Sequence, residues 1–335
     1  MPDEALPEWL EDLEKIPLDS RLRRKESLKR FNTWRIGGVA ECLIDVVNVQ
    51  DLRLLLPFIR KHRIPWFIIG KGSNLLVPDK NWPGIILHLS GDFKSWEPIE
   101  ENFNSGKKKV SAGAALADVT FAQKCVPQGW GGMEFLIGIP GTIGGAIAMN
   151  AGAHGAETAD FLEEIEWMDM EGNLHSTPRE KLEFRYRFSE LNGNFGRVIT
   201  RAVLSLKESD PETVEKKILE CQQFRMEKQP YNQPSCGSVF KNPPGDYAAR
   251  LIEASGLKGK IKGGAQISPK QANFIVNLGK ASSDDILSLI NTARETVLRN
   301  YSIDLMPEVQ ILSLIHISEP TRPERIGGGG VGVEK

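Results

Sequence analysis

The sequence lacks the features that mark secreted, membrane-spanning and metal-binding proteins. Its 335 residues contain four widely spaced cysteines without a C-x-x-C pair, and five scattered histidines without an H-E-x-x-H motif. No metal site is therefore predicted, and the cysteines are expected to be reduced. No apolar run approaches the roughly 18 residues of a membrane span, and the first residues are acidic and unlike a signal region. The chain is expected to be cytoplasmic.

The charge balance gives no support for a nucleic-acid partner. The formal net charge is −2 at pH 7, so neither a polyanion nor an anionic membrane surface is an expected partner. The chain is 40% hydrophobic and 26% charged, which is ordinary for a globular protein with a full core. The length predicts two domains or one large one.

Hydrophobic periodicity predicts a mixture of helices and strands. In chain order, the expected elements are a helix at 8–16, a strand at 39–46, a helix at 50–63, strands at 66–69, 84–90 and 107–115, a helix at 116–129, a hairpin at 161–176, a strand at 196–208, a helix at 211–230, a short helix at 246–259, a strand at 267–279, a helix at 282–301 and a strand at 304–312. Glu171–Asn173 is the predicted hairpin turn. Ser282 and Asp285 form a predicted capping box.

Residues 135–157 stand out for their glycine content. They include six glycines and Pro140. Because each glycine costs roughly 1 kcal/mol in a helix interior, this stretch is predicted to be neither an ordinary helix nor a strand. Its bare backbone amides would suit a phosphate or pyrophosphate, whereas the alternative is a loop that packs tightly against another element. The stretch alone does not decide between the two.

A second glycine loop, residues 70–74, directly follows the strand predicted at 66–69. Neither loop has the G-x-x-x-x-G-K-[ST] spacing of a P-loop or the G-x-G-x-x-G spacing of a dinucleotide fold. Two non-standard glycine loops therefore argue against both folds. They suit a domain that wraps around an extended, phosphate-bearing cofactor.

Nine motifs, in order, resemble the UDP-N-acetylenolpyruvoylglucosamine reductase (MurB) family of flavoenzymes in peptidoglycan precursor synthesis. They are NTWRIGG at 32–38, GKGSNLLV at 70–77, GIPGTIGGAIAMNAGAHGAE at 138–157, YRFS at 186–189, GSVFKNP at 237–243, LIEASGLKG at 251–259, GGAQIS at 263–268, NFIVN at 273–277 and PEV at 307–309. The short connection after residue 208 resembles the class of this family without an inserted tyrosine loop.

The resemblance implies an α+β fold in two domains. An FAD-binding domain of the vanillyl-alcohol-oxidase-like (PCMH) type would occupy 31–209, and a smaller C-terminal α/β substrate domain would occupy 210–311. Residues 1–30 would be a polar lead-in. Residues 312–335 do not continue the preceding pattern, and LSLIHISEPTR resembles the translation of a sequencing-library adapter, so a non-native tail is predicted there.

The implied activity is the NADPH-dependent reduction of UDP-N-acetylglucosamine enolpyruvate to UDP-N-acetylmuramate through tightly bound FAD. Ser238 would be the proton donor, and Arg187 and Glu308 would stabilise the enolate and orient the substrate carboxylate. The implied cofactor-binding residues are Gly70, Lys71, Gly72, Ser73, Asn74, Ile139, Pro140, Gly141, Thr142, Gly144, Gly145, Asn150 and Gly152. The implied substrate-binding residues are Tyr186, Lys241, Asn242, Gln266 and Asn273.

Single residues also have plainer interpretations. Ser238 alone would be a turn residue, Arg187 a strand-surface cation and Glu308 an exposed strand-end carboxylate. The chain departs from the family pattern at Gln271, where histidine is common, and at Lys262, where an apolar residue is common.

Two other functions remain open. An FAD enzyme acting on another small molecule would have no need of YRFS, GSVFKNP and PEV together. A non-catalytic nucleotide-sugar-binding protein would hold no flavin.

Overall fold

The computed structural model describes residues 7–99, 106–193 and 196–313. The helices are α1 Glu8–Glu14, α2 Val49–Lys61, α3 Asp118–Cys125, α4 Ile143–Met149, α5 Pro211–Lys228, α6 Ala248–Ala254 and α7 Ser283–Tyr301. The strands are β1 Arg21–Ser27, β2 Val39–Val46, β3 Trp66–Ile68, β4 Leu75–Leu76, β5 Trp82–Leu89, β6 Trp96–Ile99, β7 Lys107–Gly113, β8 Trp130–Gly131, β9 Gly152–Ala153, β10 Ala156–Glu157, β11 Leu162–Asp169, β12 Leu174–Pro178, β13 Phe184–Arg185, β14 Phe188–Ser189, β15 Arg197–Glu208, β16 Ile261–Lys262, β17 Ala265–Ile267, β18 Ile275–Asn277 and β19 Gln310–Ile311.

The first sheet has four strands in the order β1-β2-β5-β3. β1 pairs antiparallel with β2, whereas β2, β5 and β3 pair in parallel. α2 connects β2 to β3 and begins at Asn48, whose side chain accepts a hydrogen bond from the Asp51 N–H. Its leucines at 52, 55 and 56 are fully buried, because helical spacing puts them on one face. β1 comes from the stretch predicted as a polar lead-in, so part of that stretch is an edge strand of this sheet.

The second sheet has six strands, in the order β12-β11-β15-β7-β6 with β8 paired to β15. The predicted hairpin is confirmed as β11 and β12, which pair from Glu164 with Pro178 to Met168 with Leu174. A buried apolar cluster joins this sheet to α3, α4 and the start of α5 through Phe121, Ile147 and Val214. β15 passes to α5 through residues 209 and 210 alone, which is the short connection seen in the sequence.

The glycine-rich stretch contains a helix, contrary to the prediction. α4 begins after Thr142, whose hydroxyl accepts a hydrogen bond from the Gly145 N–H, and it ends at Asn150 with a φ of 45°. Ile143 and Ile147 on this helix are fully buried. Their burial outweighs the low helix propensity of the glycines, because tertiary packing routinely overrides propensity.

The C-terminal part is built on a small antiparallel sheet, β16-β17-β18, with α6 and α7. The predicted capping box at Ser282 and Asp285 is confirmed at the start of α7. The strand predicted at 267–279 is shorter than expected, since only Ile275–Asn277 is β18. The Ser268 hydroxyl accepts hydrogen bonds from the N–H groups of residues 270 and 271, which turns the chain before that strand.

The end of the described chain returns to the N-terminal part. β19, all that forms of the strand predicted at 304–312, pairs in parallel with β4. Leu312 is buried beside Leu28 and Leu43. The predicted non-native tail lies outside the described residues from position 314 onward. Among the described helices, none combines the length and the apolar composition that crossing a membrane requires.

Candidate functional site

A cavity of about 1500 Å³ lies between the two parts of the molecule. Its wall includes both glycine loops, the start of α3 and two C-terminal segments, 236–238 and 306–311. A cavity of this size exceeds the volume that a drug-sized ligand needs. It can therefore hold an extended ligand or two ligands side by side.

The loop at 70–74 lines this cavity along its whole length. In the described part of the chain, no protein acceptor is found for the backbone N–H groups of residues 71 to 74. Gly72 has a φ of +58°, and a Cβ there would overlap the carbonyl oxygen of Phe31. Unpaired amides on a glycine-dependent turn form an anion-binding concavity.

The glycine loop at 139–145 faces the loop at 70–74. Ile139, Pro140, Gly141, Thr142, Gly144 and Gly145 all line the cavity, as does Gly152. A Cβ on Gly70 would come within 2.7 Å of the Thr142 hydroxyl, and one on Gly144 within 3.0 Å of Ala114. A Cβ on Gly145 would meet nothing closer than 3.4 Å. Both functions considered for this stretch, tight packing and ligand access, are therefore present. Some of its glycines allow close packing against neighbouring residues, and others leave the cavity open.

These features fit FAD. A dinucleotide carries a pyrophosphate and is too long for a single small pocket, and this cavity offers both length and unpaired backbone donors. The residues that would hold its phosphates are those of the loop at 70–74 and of the loop at 139–145.

An arginine and a glutamate form an ion pair on another part of the wall. The Arg187 Nε lies 3.0 Å from Glu308 Oε1, and both side chains are about four-fifths buried. The Arg187 Nη2 donates to the Gly152 carbonyl at 2.5 Å. Lys241 Nζ donates to the carbonyl of Arg187 at 3.0 Å, and the backbone of this arginine has a positive φ of 52°.

Ser238 lies next to this pair. The Glu308 N–H donates to the Val239 carbonyl at 2.8 Å, and Phe240 forms an isolated antiparallel bridge with Pro307. The segment that carries Ser238 is therefore held beside the segment that carries Glu308. The structure brings together the three residues predicted to be catalytic, although they lie far apart in the chain.

Burial and charge act in opposite directions on Glu308. Burial raises the pKa of this carboxyl above its ordinary value, whereas Arg187 and Lys241 lower it. Cys236 is buried nearby, and burial raises the pKa of its thiol well above the usual range, which disfavours the thiolate form.

Two asparagines predicted to bind ligands are buried and hydrogen-bonded to the backbone instead. Asn150 is outside the cavity wall, and its amide joins the Arg185 carbonyl to the Ala159 N–H. Asn273 exchanges two hydrogen bonds with the backbone of Phe240, at 2.9 and 2.8 Å. Both residues hold wall segments in place, because neither has a free polar atom to offer.

The other predicted substrate residues lie around the cavity and not on its wall. Asn242 accepts a hydrogen bond from the Ala248 N–H at 3.1 Å, at the start of α6. Gln266 donates to the Gly259 carbonyl at 3.1 Å. Tyr186 is half exposed, with its ring 5.1 Å from the Arg187 guanidinium. Asn74, a predicted cofactor residue, lines the cavity, and its side chain also donates a hydrogen bond to the Glu308 carbonyl at 3.0 Å.

Several residues of the wall were not among the predicted site residues. They are Asp118, His154, Arg225 and Gln310. Asp118 lies in α3 and Arg225 in α5, and none of the nine motifs includes either residue. No described group of three or more histidine, cysteine, aspartate or glutamate side chains could hold a metal ion.

Comparison with known proteins identifies the class first. Residues 40–178 match the family model of an FAD binding domain. The fold and the glycine-lined cavity thus define an FAD-binding protein of the α+β class, as predicted.

The C-terminal part identifies the family within that class. Residues 229–312 match the family model of the UDP-N-acetylenolpyruvoylglucosamine reductase C-terminal domain. The enzyme of that name from Halalkalibacterium halodurans is 38% identical over 87% of this chain and 94% of its own length. That from Caldanaerobacter subterraneus is 38% identical over 90% and 97%. The chain belongs to the UDP-N-acetylenolpyruvoylglucosamine reductase family.

A solved structure agrees with this assignment. The crystal structure of UDP-N-acetylenolpyruvylglucosamine reductase (MurB) from Thermus caldophilus superposes with a TM-score of 0.75 at 35% identity, over 88% of this chain and 100% of that one. The family models leave the domain boundaries at 30, 209 and 311 as predictions, because neither match begins or ends at those positions.

Proposed function

We propose that this protein reduces UDP-N-acetylglucosamine enolpyruvate to UDP-N-acetylmuramate, with NADPH as the hydride donor, in peptidoglycan precursor synthesis in the cytoplasm. The observation that carries the proposal is the Arg187–Glu308 ion pair, at 3.0 Å, beside Ser238 on the wall of an FAD-sized cavity. The ion pair alone, or the FAD-sized cavity alone, would also fit other flavoproteins. Their combination fits reduction of an alkene that bears a carboxylate.

The reaction adds a hydride to the β-carbon of the enolpyruvyl group and a proton to its α-carbon. FAD held by the loops at 70–74 and 139–145 would supply the hydride-transfer chemistry that links NADPH to the substrate. Negative charge then develops along the enolate and the substrate carboxylate, and it needs positioned donors in a water-poor site. The Arg187 guanidinium is such a donor, since it is mostly buried and held by Glu308 and the Gly152 carbonyl, while Lys241 binds the backbone carbonyl of Arg187.

Ser238 is the proposed source of the proton at the α-carbon. Ser238 lines the cavity, on a segment held beside that of Glu308 by the hydrogen bond from the Glu308 N–H to the Val239 carbonyl. A serine hydroxyl is a weak acid, so the transfer depends on the basicity of the enolate that it protonates. Solvent then returns a proton to the Ser238 oxygen.

The experiment that tests the proposal follows the two half-reactions separately. Holoprotein would be reduced anaerobically with NADPH in a stopped-flow instrument, and then mixed with the enolpyruvyl substrate. We expect bleaching of the flavin absorption by NADPH, its recovery on addition of substrate, and one UDP-N-acetylmuramate formed per flavin reoxidised.

Two results would contradict the proposal. Protein that stays colourless after incubation with FAD would point to a non-catalytic nucleotide-sugar-binding protein. Protein that NADPH reduces but that this substrate does not reoxidise would point to an FAD enzyme with another substrate.

A further inference from the structure

Arg187 has an unfavourable backbone conformation at the tip of a hairpin. β13 and β14 pair antiparallel and leave Tyr186 and Arg187 as a two-residue turn. The φ of Arg187 is 52°, in the left-handed region that glycine and asparagine favour. A residue with a longer side chain persists there only where its surroundings fix it, and such residues are concentrated at active sites. The contacts that fix Arg187 therefore bear on the site.

Lys241 makes one of these contacts, from a segment 54 positions further along the chain. Its Nζ donates to the Arg187 carbonyl at 3.0 Å. Its backbone N–H donates to the Met306 carbonyl at 2.9 Å, so Lys241 is anchored on the segment that leads to Glu308. Lys241 itself is not among the described residues that line the cavity. It therefore joins the Arg187 turn to the segment of the ion-pair partner without lying on the wall.

The side chain of Arg187 has its own contacts, which depend on the conformation of the turn. Its Nε lies 3.0 Å from Glu308 Oε1, and its Nη2 donates to the Gly152 carbonyl. A change of φ from 52° to the usual negative range would redirect the Cα–Cβ bond of Arg187 and, with it, the guanidinium. The ion pair therefore requires the turn in its present form.

Lys241 also contributes to the charge around Glu308. Burial raises the pKa of this carboxyl, whereas Arg187 and Lys241 lower it. The other titratable group near the carboxyl is the thiol of Cys236. Two cations thus face one carboxylate, which leaves a positive charge in excess for the carboxylate of the substrate.

We propose that Lys241 is a positioning residue for substrate reduction, whose ammonium group fixes the Arg187 turn and so keeps the guanidinium beside Glu308 on the cavity wall. The inference rests on the proposed function and deepens it at the ion pair. It replaces the direct substrate contact that the motifs predicted for Lys241. A guanidinium already in place needs no rearrangement when charge develops on the substrate, which is how positioned groups lower a barrier.

The test compares Lys241→Met and Lys241→Arg holoprotein with the unchanged protein in the anaerobic stopped-flow experiment. Methionine keeps most of the apolar stem but removes the donor and the charge, so substrate reoxidation should slow about 10- to 100-fold, the usual effect of a misplaced catalytic group. Arginine keeps a donor and a charge and should restore part of the lost rate. Flavin reduction by NADPH should stay within about twofold in both variants, because the lost interaction belongs to the other half-reaction.

The pH dependence of reoxidation separates positioning from a general loss of stability. Lys241→Met removes a cation that lowers the pKa of Glu308, so that pKa should rise and the acidic limb of the rate profile should move to higher pH. Lys241→Arg should leave the limb in place. Lys270→Met is the matched control, since Lys270 Nζ donates to the Met226 carbonyl at 2.6 Å outside the cavity wall. It should change neither half-reaction nor the profile.

A crystal structure of Lys241→Met supplies a readout that needs no substrate. We expect Arg187 at a negative φ, with its guanidinium displaced from Glu308. A variant structure that kept the positive φ and the 3.0 Å ion pair would overturn the inference. Substrate reoxidation at the unchanged rate, or Lys241→Arg no faster than Lys241→Met, would also overturn it. Unchanged protein that the substrate does not reoxidise would contradict the proposed function instead, and the crystallographic result would still decide whether Lys241 fixes the turn.

Discussion

The two buried carboxyl groups on the cavity wall differ in how they are satisfied. Glu308 is paired with Arg187 at 3.0 Å, and Asp118 has no partner in the described chain. Burial raises the pKa of both. The difference separates two parts of one wall. The ion-pair part, formed by Arg187, Ser238 and Glu308, is held by contacts within the protein. The cofactor part is formed by the two glycine loops; Asp118 is buried behind Gly141, and the loop at 70–74 keeps backbone N–H groups unpaired among the described residues.

Substitutions that impair only the ion-pair part or only the cofactor part test this comparison most directly. Ser238→Ala should slow reoxidation of the flavin by substrate by about 10²- to 10⁴-fold, the usual effect of losing an acid–base group. Reduction by NADPH and the affinity for FAD should change little. Stopped-flow measurement of both half-reactions checks this, and an equal loss in both would remove the proton-donor role from Ser238.

Glu308→Gln tests whether the ion pair acts in the same step. It removes the charge that orients the Arg187 guanidinium, so we expect substrate reoxidation to slow by about 10²-fold, the lower range for losing one positioned electrostatic group. The same stopped-flow experiment serves, with the NADPH half-reaction as the internal control. Unchanged substrate reoxidation would return Glu308 to a structural role.

The cofactor part can be tested with a matched pair of glycine substitutions. Gly72→Ala should destabilise the apoprotein by about 2 kcal/mol, since alanine at this positive φ is strained and its Cβ overlaps the Phe31 carbonyl. In Gly145→Ala the new Cβ makes only a van der Waals contact of 3.4 Å with the Thr142 hydroxyl within α4, so its free energy of unfolding should stay the same or rise by about 0.4–1 kcal/mol.

Urea unfolding of both apoproteins measures this pair. Equal destabilisation by the two alanines would mean that lack of room for a Cβ, and not access of a ligand to the backbone, is the reason for glycine at both positions. A rise in the FAD dissociation constant of Gly145→Ala, without a loss of stability, would support the cofactor role of that loop.

The smallest expected effect is in the pH dependence of stability. A carboxyl whose folded pKa is raised contributes its stability below the unfolded pKa, near 4, and loses it as pH rises through the folded value. The melting temperature of Asp118→Asn apoprotein, relative to the unchanged apoprotein, should therefore increase as pH rises from about 4 toward neutrality. A difference that is constant across this range would show that Asp118 keeps the same ionisation state in both folded and unfolded protein.

Much of the fold could be predicted from local patterns. The leucines of α2, the capping box of α7 and the turn between β11 and β12 are signals confined to a few neighbouring residues, and each predicted element formed. Prediction failed where distant packing decided the outcome. α4 formed in spite of its glycines because Ile143 and Ile147 are buried, and the strand predicted at 267–279 was interrupted by the turn at Ser268.

The predicted site residues also differ in how well the motifs indicated their surroundings. Arg187, Ser238 and Glu308 came from motifs, and the structure brings them together. Asn150 and Asn273 came from the same motifs and proved to be bound to backbone groups. A motif records which residue types occur together in a family, and it does not say whether a side chain faces the ligand or supports the wall.

Glycine spacing, hydrophobic period and motif order are properties of the chain, and they were enough to predict the class of this protein. Which polar groups are satisfied depends on contacts between distant segments. Glu308 gains a cation from a residue 121 positions away (308 − 187), and Asp118 gains none. The free energy of a buried charge depends on what surrounds it in space, and those surroundings exist only once β4, β19 and the two glycine loops have come together around one cavity.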